Sequence, residues 1–188
     1  MFDQVRVSDV DQDGDLDILV PQSSFSTRHL KGEKSPDQRG AYIQILDNDG
    51  KGVFTEGPAI QYTTVEPSGR PAQVIADLAY GKDRDGAGYL LVATGNGVAL
   101  IRLPGGGKVE SAPESRFIPA GRSGAAAMVR LVDLDRDGSL DAVIGHGGSA
   151  RGALILFGPL WQTFEALVAA GSSVLPEAVG PRPTSSGS

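Results

Sequence analysis

The chain has 188 residues, with 17 Lys+Arg against 23 Asp+Glu, a net charge of −6 and a pI near 4.9. That balance argues against a nucleic-acid binder, which usually carries a basic stripe, and against an electrostatic membrane anchor. The absence of Cys rules out a disulfide framework, thiolate metal sites and a Cys nucleophile. Hydrophobic residues make up 40%, Gly numbers 26 and Pro 12, and no apolar run approaches the ~20 residues of a membrane span, so short strands and turns are expected rather than a helical bundle.

In chain order, the first residues carry neither a basic nor an apolar leader region, so no signal peptide is expected in this chain. A short apolar strand runs into Asp9-Val10-Asp11-Gln12-Asp13-Gly14-Asp15-Leu16-Asp17, and a second strand leaves it over residues 16–20. Residues 21–40 are polar and read as an exposed loop. A strand at 41–46, a tight turn at 48–52 and a weaker strand at 53–56 follow. The pattern then recurs in degraded form. Residues 73–78 match the approach to the first loop, with Asp77 in the place of Asp9. An insertion and Asp83-Arg84-Asp85-Gly86 come next, and Tyr89 stands where a closing Asp is due. Strands are expected at 89–94, 98–103 and 116–119, with a turn at 104–108. The third copy is intact: Asp133-Leu134-Asp135-Arg136-Asp137-Gly138-Ser139-Leu140-Asp141, then strands at 140–145 and 153–157. Residues 159–171 place Leu160, Phe164, Leu167 and Val168 at helical spacing between a Pro and a Gly, which reads as a helix or, alternatively, as a last strand.

Runs of four to seven aliphatic residues bounded by Gly or Asp, four per repeat of about 60, describe blades of antiparallel strands. The expected fold class is all-β: a partial or open β-propeller of about three blades, with a short C-terminal helix or strand and a disordered tail. Residues 1–158 form the repeats, with blades at about 1–65, 66–120 and 121–170. The helix or last strand occupies 159–175, and the Pro/Gly/Ser-rich tail 176–188.

The two intact loops are the candidate sites. Five carboxylates in nine residues repel one another by about 1 kcal/mol per close pair in water and about 4 at an effective dielectric of 20. Hard oxygen donors at alternate positions suit Ca²⁺, which takes 6–8 oxygens in a flexible shell. Asp9, Asp11, Asp13, Asp15 and Asp17 are the metal ligands expected in one loop, and Asp133, Asp135, Asp137, Ser139 and Asp141 in the other, positions 7 (Asp15 and Ser139) serving through the backbone carbonyl. Position 6 is Gly because the chain turns sharply there with positive φ. An EF-hand is ruled out: its bidentate Glu at position 12 is replaced by Val20 and Ile144, and the flanks are strand-like. The middle loop is read as a relic without metal. Gly105-Gly106-Gly107-Lys108 lacks the rest of a phosphate loop, and His146-Gly147-Gly148-Ser149 lacks the nucleophile elbow of an esterase. No catalytic residue is expected.

Taken together, the loops at 9–17 and 133–141 resemble the calcium loops of FG-GAP/VCBS repeats, as in the integrin α-subunit propeller. Residues 48–54 resemble the hairpin of such blades, and the likeness extends over roughly residues 3 to 158. It implies two structural Ca²⁺ ions, an extracellular, cell-surface or periplasmic setting, and adhesion to or recognition of a protein or glycan ligand. The propeller part of a secreted carbohydrate-active enzyme, resembling polysaccharide lyases, is the alternative. So is an incomplete unit whose further blades come from a longer parent chain or an oligomer.

Overall fold

The computed structural model describes residues 5–22, 42–61, 75–104, 109, 113–119, 126–146 and 152–170. Most of the polar 21–40 segment, the glycine turn at 105–108, residues 147–149 and the 176–188 tail lie outside them.

Three antiparallel sheets form, each a meander of sequence neighbours. The first holds β1 (Arg6–Ser8), β2 (Asp17–Gln22), β3 (Tyr42–Asn48) and β4 (Phe54–Gln61), in that order. The second repeats it with β5 (Ile75–Lys82), β6 (Gly88–Thr94), β7 (Gly97–Leu103) and β8 (Ser115–Pro119). The third holds β9 (Ala126–Val132), β10 (Asp141–His146) and β11 (Ala153–Leu156). The fold is all-β, an open propeller-like stack with no closed barrel among the described residues.

Alternation along each strand explains how the sheets stack. In β6 every residue is buried. Leu90 and Val92 pack with Leu19, Ile43, Ile45 and Ile60 of the first sheet. Leu91 and Ala93, on the opposite face, pack with Val129, Ala142, Ile144 and Leu154 of the third. A strand covered on both sides reads as a continuous apolar run, and Tyr89–Ala93 is one. A bulge at Ala76 changes the phase of β5, so Ile75 and Leu78 share the face toward the first sheet while Asp77 turns to the other.

After β11 the chain makes a helix, α1 (Leu160–Ala169), which settles the alternative left open by the sequence. It does not extend the third sheet. It crosses to β7 and β8 of the second and buries Leu160, Trp161 and Phe164 over the seam between the two sheets. The Arg116 guanidinium of β8 lies 4.5 Å from the Trp161 ring centroid and donates to Glu165 at 3.0 Å. No helix among the described residues is long and apolar enough to cross a membrane.

Candidate metal centres

Each intact Asp loop joins the innermost strand of its sheet to the next. Ser8 pairs with Asp17 across the first loop and Val132 with Asp141 across the second. Both loops reverse through two left-handed residues, Gln12 (φ 67°) and Gly14 (102°) in one, Arg136 (62°) and Gly138 (90°) in the other. The glycine is legible in the sequence. The left-handed fourth position is not, because neither Gln nor Arg favours that conformation.

This shared turn draws three carboxylates together in each loop. One oxygen each from Asp9, Asp11 and Asp17 lie within 4.8 Å of one another, as do those of Asp133, Asp135 and Asp141. The side chains of the fifth position stand outside these carboxylate sets, and the seventh position is expected to serve through its carbonyl, which they do not include. Asp13 accepts the N–H of Asp15 at 2.9 Å, and Asp137 that of Ser139 at 2.8 Å. The Asp15 carboxylate lies against Gly50, where a Cβ would fall 2.3 Å from its oxygen, and Ser139 packs against Gly158 in the corresponding way.

The closing aspartates are buried, Asp17 at 2% exposure and Asp141 at 0%. Asp17 accepts N–H bonds from Val10 and Asn48, both at 3.0 Å. Asp141 accepts them from Leu134 at 2.7 Å and Gly158 at 2.8 Å. These bonds tie the loop to the end of the sheet's third strand and use about half of each carboxylate's lone pairs.

The carboxylates of the first loop are the less well satisfied. Burial pushes the Asp11 carboxyl above its ordinary value; the Asp13 N–H partly offsets this, and the charges of Asp13, Asp17 and Asp47 push it further up. Asp9 Oδ1 is buried and has no hydrogen-bond partner among the described residues. An oxygen left in that state costs about 1–3 kcal/mol, which a bound cation would relieve. The donors are all hard oxygens, the set that suits Ca²⁺. In the second loop Asp133 is instead satisfied internally, accepting from Asp137 at 3.1 Å and Gly138 at 3.0 Å.

The middle loop lies between the other two. Gln12 donates to the Gly86 carbonyl at 2.9 Å, and Asp83 accepts the Leu140 N–H at 3.0 Å. Gly81 pairs with Tyr89, and Gly86 (φ 88°) precedes Tyr89 as Gly14 precedes Asp17, so Tyr89 does occupy the closing position. Lys82, the last residue of β5 and paired with Gly88, then stands where the first aspartate stands in the intact loops. The alignment of Asp77 with Asp9 and Asp133 does not hold, since Asp77 lies inside β5, well before the turn.

Asp77 has a different task. Its side chain is 3% exposed and meets Arg6 of β1 and Arg130 of β9, the latter at 2.8 Å. It also accepts the N–H groups of Val129 at 3.0 Å and Leu78 at 2.9 Å. Burial alone would push its carboxyl up. The two backbone N–H bonds and the two guanidiniums outweigh that and hold it below its ordinary value. One carboxylate thus clamps the inner strands of all three sheets beside a cavity of about 370 Å³. The signal was present in the sequence: Val5-Arg6 precedes Asp9 as Val129-Arg130 precedes Asp133.

Comparison of the chain with protein-family models, with curated proteins and with solved structures finds no match.

Proposed function

We propose that the protein is a calcium-binding β-repeat module whose two Asp loops each hold one structural Ca²⁺, stiffening one end of the sheet stack for recognition of a protein or glycan. The observation that carries this reading is the duplicated geometry. Two loops far apart in sequence place left-handed residues at the same two positions and converge the same three carboxylates, and in the first loop Asp9 keeps a buried oxygen with no hydrogen-bond partner among the described residues. The resemblance of both loops to FG-GAP/VCBS calcium loops supports it, as does the charge distribution. The two loops hold nine carboxylates and one Arg, a net −8 in a chain of net −6. Self-repulsion of that density favours a divalent cation.

Melting in EGTA and in Ca²⁺ tests the proposal. At ten times Kd, Ca²⁺ stabilises by about 1.4 kcal/mol per site, and two sites raise Tm by about 5–10 °C in a domain of this size. The first loop is expected to be the tighter, so Asp9→Ala removes more of the gain than Asp133→Ala, and the double variant removes all of it. A wild-type Tm unmoved by Ca²⁺ overturns the reading.

A further inference from the structure

The sheets pack by a repeated rule, and the rule leaves two faces open. Ser8, Gly81 and Val132 stand at matching positions of the three innermost strands, opposite Asp17, Tyr89 and Asp141. Counting from there, Val5, Val7, Ile18, Val20 and Leu46 of the first sheet correspond to Leu78, Tyr80, Leu90, Val92 and Ile101 of the second. The latter five pack on the first sheet. Their counterparts face away from the stack, with Val5 52% and Val7 58% exposed. At the other end, Val143, Ile155 and Ala153 of the third sheet correspond to Leu91, Leu100 and Val98, which pack on the third sheet from the second. Beside them Met128 is 46% and Val132 40% exposed.

Arg130 adds a polar marker. It is the counterpart of Arg6, two residues before the end of the inner strand. Arg6 uses Nε and Nη2 to grip the next sheet, donating to the Leu78 carbonyl at 2.9 Å and to Asp77. Arg130 spends Nη1 on Asp77 and the Val129 carbonyl. Its Nε and Nη2 meet no acceptor among the described residues, so the edge that Arg6 uses to dock stands open at the third sheet.

We propose that these two faces bind each other between copies of this chain: the third sheet of one copy packs, head to tail, on the first sheet of another, with Arg130 reaching the inner strand across the seam. The two apolar faces are counterparts of faces already joined within the stack, so the contact continues an interface the molecule builds twice. Head-to-tail contacts close into a ring when the rotation permits. Two copies supply six sheets, within the four to eight of closed propellers. The proposal rests on the repeat reading and not on the metal.

Light scattering with size exclusion at about 100 μM, in Ca²⁺ and in EGTA, is the first measurement. A mass of twice the 19.5 kDa chain is expected. Val7→Glu and Met128→Glu, each on one of the two faces, are each expected to give monomers with unchanged circular dichroism. Their equimolar mixture regains a dimer, because each variant retains the face that the other has lost. Arg130→Gln is expected to weaken association about tenfold. A monomeric wild type overturns the proposal, as does a mixture that stays monomeric or a dimer indifferent to both charges. A Ca²⁺-dependent Tm in a monomeric protein rejects the dimer alone and leaves the calcium reading intact.

Discussion

At the scale of residues, carboxylates do two opposite things in this molecule. In the Asp loops they accumulate unmatched charge, which burial and mutual repulsion make costly, as the raised Asp11 carboxyl records. Asp77 is the reverse case, a single buried carboxylate answered by two guanidiniums and two backbone N–H groups. Asp77→Asn keeps the shape but loses the charge and turns an NH₂ toward donors. Because both arginines are partly exposed and can be rehydrated, the expected cost is about 2–3 kcal/mol rather than the upper range for buried pairs. The pH dependence has a definite sign. Asp77's folded value lies below its ordinary 3.8, so its contribution is present above that value and is lost as pH falls from 3.8 through the lowered one. Urea midpoints at neutral pH separate wild type from Asp77→Asn, and the gap is expected to close in that acid window. A gap unchanged down to pH 2 would remove the electrostatic account.

At the scale of elements, strands were legible because burial imposes a period of two and because Gly and Asp end each run. The loops were legible because a duplicated Asp pattern is hard to produce without a shared conformation. The alignment of the middle copy failed for a physical reason: Asp77 follows the same apolar run as Asp9 and Asp133, but β5 continues past it to Lys82. Sequence spacing alone does not report where a strand ends. Helix α1 was ambiguous because a short apolar run fits either period, and packing on β7 and β8 decides it. That packing centres on Phe164, which is fully buried. Phe164→Ala is expected to cost about 3–5 kcal/mol, read from the urea midpoint, whereas exposed Val168→Ala is expected to cost under 1 kcal/mol. Equal effects at the two positions would mean that the helix is not docked by this face.

At the scale of the whole molecule, the second sheet carries the stack, since both of its faces are core. Adjacent residues of β6 therefore belong to different interfaces, Leu90 to the one with the first sheet and Leu91 to the one with the third. In a sheet with one wet face only one of two neighbours is costly to truncate. Here Leu90→Ala and Leu91→Ala are each expected to cost about 2–5 kcal/mol, measured by denaturant unfolding. A small effect at either would show that its interface is not formed.

The sequence alone determined the strand pattern, the turn at each Asp loop and the chemical character of the two candidate sites. These are local matters, set by alternation, by glycine's access to positive φ and by the charge of side chains a few residues apart. Only the tertiary structure decided that three carboxylate side chains of each loop converge, that a buried Asp77 joins Arg6 and Arg130 across three sheets, and that among the described residues the stack leaves an apolar face at each end. Those outcomes depend on which strands lie side by side, and partners some seventy and fifty residues apart meet only after the sheets have packed.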